Sequence, residues 1–183
     1  MTTPLKSRIQ SITLMAGIAF LVGCGTGEKP ESASTKPTDN PALDAIFVDA
    51  EPAGAVAVSN LRKTAKPGDT VVVAGKIAGA MNPFTDGFAT AVLSDATLKT
   101  CDLIPGDECP TPWDACCADP EVIKASRLTI QILGEDSRPV SKSLKGVKGL
   151  KELDSIVVSG VVAEGSSAGN MIVNVKGLYQ ATK

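Results

Sequence analysis

Alternating and continuous apolar runs in the later two thirds of the chain predict five β-strands. Residues 70–78 read Thr-Val-Val-Val-Ala-Gly-Lys-Ile-Ala, a β-branched run with a glycine in its middle. Residues 88–93 form a second apolar run, bounded by the turn residues Asp86-Gly87 and Ser94-Asp95. In residues 127–133, Leu128, Ile130 and Ile132 alternate with Thr129 and Gln131, the pattern of a half-buried strand. Residues 156–163 repeat the first pattern as Ile-Val-Val-Ser-Gly-Val-Val-Ala. Residues 171–178 carry Ile172 and Val173, then Val175 and Leu178. Two stretches follow a helical period instead. Val56, Val58 and Leu61 predict a short helix in residues 53–63, although the Val/Ala content also fits a strand; Lys66-Pro67-Gly68-Asp69 ends it as a turn. Leu144, Val147, Leu150 and Leu153 predict a short helix or covering loop over residues 142–153.

Five strands with one connecting element between the third and fourth match the order of a mainly β, five-stranded OB-like Greek-key barrel. A β-sandwich is the alternative. A long strand serving both halves of a small barrel has to bend, and Gly75 and Gly160 stand in mid-strand where that bend is needed. Between the second and third strands lies an insertion, about residues 94–126, longer than ordinary loops and therefore functional or disordered by expectation. It holds four cysteines, Pro105, Pro110, Pro112, Pro120 and the single Trp.

The chain opens differently. Lys6 and Arg8 precede an apolar run over residues 12–22, and small Gly23 stands before Cys24. That order is a secretory signal, too short for a permanent membrane span. The ending Leu21-Val22-Gly23-Cys24 resembles the lipobox of bacterial lipoproteins, whose cysteine is acylated and becomes the first mature residue. This divides the chain into a signal peptide (1–23), a flexible Gly/Pro/Ser/Thr-rich tether from lipidated Cys24 (24–41) and the barrel domain (42–183). Gly25, rather than an aspartate-type retention signal, favours the outer membrane, facing the periplasm or the cell surface.

Charge and composition narrow the function. Lys and Arg number 18 against 20 Asp and Glu, and cleavage of the signal removes two of the cations. A mildly acidic surface offers no long-range attraction for nucleic acid. The absence of histidine excludes Ser-His-Asp and Cys-His nucleophile pairs and every imidazole metal ligand.

Setting Cys24 aside leaves Cys101, Cys109, Cys116 and Cys117, an even number in an oxidising compartment, which reads first as two disulfides. Adjacent backbone geometry disfavours a bond between Cys116 and Cys117, so Cys101 and Cys109 are each expected to pair with one of them. Such crosslinks contribute about 2–4 kcal/mol each. The alternative is a thiolate site for Zn or Cu, with Asp102, Asp107 or Asp114 as added oxygen ligands; a thiol-redox pair is a further alternative. No Cys-x-x-Cys knuckle supports the metal. Phe84, Trp113 and Asp114 form a possible ligand surface, Trp113 otherwise covering the sulfurs and Phe84 otherwise being a buried turn residue. Lys142, Lys145, Lys148 and Lys151 read as the wet side of an amphipathic element.

Val71-Val72-Val73-Ala74-Gly75-Lys76-Ile77, Asn82-Pro83-Phe84 through Gly87, the run from Cys109 to Cys117, Gly149-Leu150 and Gly169-Asn170 together resemble a group of bacterial lipoproteins with an OB-fold-like domain. Thr-Pro-Trp-Asp-x-Cys-Cys is the most specific part. The resemblance implies a fold and a location and brings no activity with it. The expected function is therefore a non-enzymatic binding or structural module of the envelope, anchored by its lipid and facing an envelope protein, glycan or small molecule. A periplasmic metal-binding or thiol-redox protein is the alternative. Oligonucleotide or oligosaccharide binding in the OB groove ranks third, and the acidic surface and missing aromatic platform argue against nucleic acid.

Overall fold

A computed structural model describes residues 40–181. The signal peptide, Cys24 and nearly all of the expected tether lie outside the described residues. In chain order the elements are α1 (Pro41–Asp44), β1 (Val56–Ala57), α2 (Val58–Thr64), β2 (Thr70–Ile77), β3 (Thr90–Ser94), α3 (Pro120–Ala125), β4 (Arg127–Gln131), β5 (Ser155–Val162) and β6 (Ile172–Gln180). Short 3-10 turns occur at Cys101–Leu103 and Val147–Gly149.

The strands pair in the order β2-β3-β4-β6-β5, and β5 returns to β2, so the ring closes into a five-stranded barrel. All of these pairs are antiparallel except β4 with β6. This is the OB-like barrel that the strand pattern predicts, and closure excludes the sandwich. β1 is an extra two-residue strand lying parallel on β2. The period-2 pattern turns one face of each strand inward: Val71, Val73 and Ile77 from β2, Leu128 and Ile130 from β4, Ile156, Val158 and Val162 from β5. Each such side chain contributes about 1.5–3 kcal/mol on full burial. Leu144, Val147 and Leu150 are wholly buried in the β4–β5 connection, a covering loop with a single 3-10 turn.

β6 breaks the alternation with reason. Ser159 faces Gly177 while Gly160 faces Val175, which leaves Lys176 as the extra residue of a bulge. The bulge shifts the inward phase from Val175 to Leu178. At the same place an added Cβ on Gly160 would lie 2.3 Å from the Asn174 carbonyl oxygen, and one on Gly75 2.5 Å from that of Ser94. Both glycines allow neighbouring backbones to approach where the barrel closes.

Three local expectations are revised. Residues 53–63 divide into the short strand β1 and the helix α2 instead of one helix. The insertion contains a helix, α3, capped by Asp119, whose Oδ1 accepts from the N–H groups of Glu121 (2.8 Å) and Val122 (3.3 Å). A one-turn helix, α1, begins where the tether was expected to end, capped in the same way by Asn40 on the Ala42 N–H.

Candidate functional site

The insertion is pinned to the barrel by polar contacts at its root. Lys76 leaves β2 and its Nζ donates to Thr100 Oγ1 at 2.9 Å. The Thr100 hydroxyl donates in turn to Asp102, whose carboxylate lies 3.8 Å from the same ammonium. Thr100 is fully buried, so this network fixes the start of the Cys101–Leu103 turn. The Cys101 N–H donates to the Asp114 carbonyl and the Asp102 N–H to that of Pro112, both at 2.8 Å. These backbone bonds bring the second half of the insertion back over the first.

Three of the four thiols converge as a result. Cys101 Sγ lies 3.5 Å from Cys116 Sγ. Cys109 Sγ joins them from a turn held by its own N–H on Asp107 Oδ1 (2.9 Å), and the three sulfurs all lie within 4.8 Å of one another. Cys117 Sγ is 3.8 Å from Cys116 Sγ but stands outside this group. The expected disulfides are not formed: all four residues are free thiols. The pairing scheme needed both members of the adjacent pair at the centre, whereas the backbone turns only Cys116 toward Cys101 and Cys109.

The thiols differ in acidity. The Thr111 hydroxyl, 3.4 Å away, hydrogen-bonds Cys109 Sγ and draws that thiol below its ordinary range. Burial pushes the Cys101 thiol well upward. For Cys116, the hydrogen bond with Cys101 pulls down, but the contact with Cys117 and desolvation outweigh it and the net direction is up.

Phe84, Trp113 and Asp114, named above as a possible ligand surface, take structural places. Phe84 is 6 % exposed and belongs to the core, bridged to Ala91 of β3. Trp113 is half-buried and acts as a strut. Its indole N–H donates to the Met81 carbonyl and its own carbonyl accepts from the Gly79 N–H, both at 2.8 Å. Asp114 Oδ1 accepts from the Ala115 N–H at 2.7 Å.

A cleft of about 370 Å³ lies elsewhere, on the outer face of β3 and β4. Val92 and Thr129, cross-strand partners, line it together with Ala80 of the β2–β3 connection and Gly169-Asn170 of the β5–β6 connection. Arg127 stands at its edge with Nη1 on the Gly79 carbonyl at 3.1 Å, and Thr129 Oγ1 donates to Asn170 Oδ1 at 3.3 Å. Arg62 of α2 donates to the carbonyls of Arg127 (3.0 Å) and Ala168 (2.6 Å), tying the start of β4 to the β5–β6 connection. Sequence reasoning missed Arg62, Arg127 and Thr129. The available signal was the barrel order itself, since the connections equivalent to β2–β3 and β5–β6 flank the ligand groove of OB-like barrels.

No protein-family model matches the chain, and no curated protein matches it. Among the described residues no helix is long and apolar enough to cross a membrane.

Proposed function

We propose that this chain is an envelope lipoprotein, held through Cys24 at the outer membrane, whose barrel serves as a non-enzymatic binding module with its ligand site in the groove between the β2–β3 and β5–β6 connections. The observation that carries this reading is the cleft of about 370 Å³ on that face, lined by Arg127, by Val92 and by the hydrogen-bonded pair Thr129 and Asn170. The lining holds hydrogen-bonding groups, one cation and no aromatic ring. A polar chain bearing a carboxylate suits it better than a stack of bases. In an envelope, a carboxylate-bearing glycan has that chemistry.

Soluble, carboxylate-bearing cell-wall glycan fragments should perturb the amide resonances of Ala80, Thr129 and Asn170 on titration. Arg127→Gln should weaken binding by about tenfold or more, the cost of one charge-assisted hydrogen bond. Perturbations confined to another face, or unchanged affinity in the variant, would refute the groove reading. The anchor is tested separately. Cys24→Ser should move the protein from the membrane pellet to the soluble fraction of lysed cells, and continued pelleting would remove the lipobox from the account.

A further inference from the structure

We propose that Cys101, Cys109 and Cys116 form a binding site for a soft, thiophilic d¹⁰ cation, with Cu(I) as the preferred ion. The site is separate from the groove and stands whether or not the groove binds a ligand. Its basis is geometric: three thiols from distant points of one insertion share a space in which every sulfur lies within 4.8 Å of the others. A metal–sulfur bond of about 2.3 Å sets sulfurs around a common ion about 4 Å apart, so the three thiols need shift by less than about 1 Å, Cys101 and Cys116 opening slightly, to surround it.

The surroundings select the ion. Four-coordinate structural Zn²⁺ requires a fourth ligand. Cys117 stands outside the group, and the nearby carboxylates are engaged: Asp107 on the Cys109 N–H, Asp114 on the Ala115 N–H, Asp102 on Thr100 and Lys76. Three sulfurs with no carboxylate or fourth thiol in the group suit a soft monovalent ion, which thiolates select over harder competitors. Binding exchanges protons for metal: each thiol ionises as its sulfur coordinates, the protons pass to solvent, and copper remains Cu(I) with no electron transferred. Cys101 is buried and Cys116 exposed, so the ion enters from the side of Cys109 and Cys116 and meets Cys101 last. The Lys76–Thr100–Asp102 network and the backbone bonds from Cys101 and Asp102 to Asp114 and Pro112 hold the ligands in register before the ion arrives.

The test uses the full lipidated chain, reduced and free of oxygen in detergent micelles, titrated with Cu(I) against a chromophoric Cu(I) chelator. One equivalent should be retained per chain, with X-ray absorption showing three sulfur neighbours. Cys109→Ser and Cys116→Ser, both altering open thiols, should each weaken retention by about 100-fold or more, beyond the cost of outer-shell changes. Cys117→Ser should leave it unchanged. Thermal melting of each variant checks that the fold survives, and Cys101→Ser is informative only if it passes. Failure of the reduced wild-type chain to retain Cu(I) would overturn the site. So would retention insensitive to Cys109→Ser and Cys116→Ser, or lost equally in Cys117→Ser. Displacement of Cu(I) by equimolar Zn²⁺ would overturn the ion assignment.

Discussion

Replacing Gly160 by alanine should destabilise the barrel by about 3 kcal/mol or more, a large share of the 5–15 kcal/mol by which domains are stable. The new methyl carbon would stand 2.3 Å from the Asn174 carbonyl oxygen and 2.9 Å from Val173 Cγ1. The first obstacle is backbone and cannot swing aside. Relief requires β5 and β6 to separate at the bulge around Lys176, with loss of ladder hydrogen bonds on both sides. Overpacking a well-packed core costs about 1–3 kcal/mol, and here the nearest obstacle is backbone, which cannot rotate away to absorb the strain. Gly165→Ala is the matched control, because nothing lies within 4 Å of the position its Cβ would take. Urea unfolding of the two variants should give midpoints far apart, with only Gly160→Ala strongly shifted. Similar midpoints would show that the approach of β5 to β6 does not depend on the missing side chain.

The strands were legible because their chemistry is local. Continuous β-branched runs locate β2 and β5, a period of 2 locates β4, and the spacing from Val175 to Leu178 carries the trace of the bulge. The helices α1 and α3 were not legible for a physical reason. α3 has no buried residue, so no apolar stripe marks it, and α1 is a single turn. Both begin at a cap followed by proline, Asn40-Pro41 and Asp119-Pro120, a signal that also ends strands and opens loops.

The site was legible in composition and not in arrangement. Four cysteines in one insertion announce sulfur chemistry. Which of them meet depends on the long-range bonds of Cys101 and Asp102 with Asp114 and Pro112, and on the Lys76–Thr100–Asp102 network, none of which leaves a periodic trace. Phe84 could be read as a ligand-surface aromatic or as a buried turn residue, and its burial and its bridge to Ala91 decide for the second. The groove draws on β3, β4 and two connections far apart in sequence, so only closure of the barrel assembles it.

Asp95→Asn should cost about 2 kcal/mol at neutral pH and almost nothing near pH 2. The cap position before α2 is Ala57, a residue without a capping side chain, and Asp95, just beyond β3, supplies the missing acceptor from outside the helix. Its Oδ2 accepts from the Ser59 N–H at 3.0 Å, while Oδ1 accepts from the Thr97 N–H (3.0 Å) and hydroxyl (2.7 Å). The Asp95 N–H reaches the Ser126 carbonyl at 2.7 Å, so one residue joins α2 to the start of β4. Burial pushes this carboxyl upward, but the hydrogen bonds from Ser59 and Thr97 outweigh it and bring the value from 3.8 down to about 2. A folded-state value below the unfolded one contributes stability above pH 3.8, lost as pH falls through about 2; the depression corresponds to about 2 kcal/mol. The variant keeps an amide oxygen but loses the charge. The gap between wild type and Asp95→Asn, measured by urea unfolding, should therefore be full at pH 7, almost full at pH 4 and reduced to about a third at pH 2.5. A gap independent of pH would mean that Asp95 holds α2 through shape and neutral hydrogen bonds, and that its charge adds nothing.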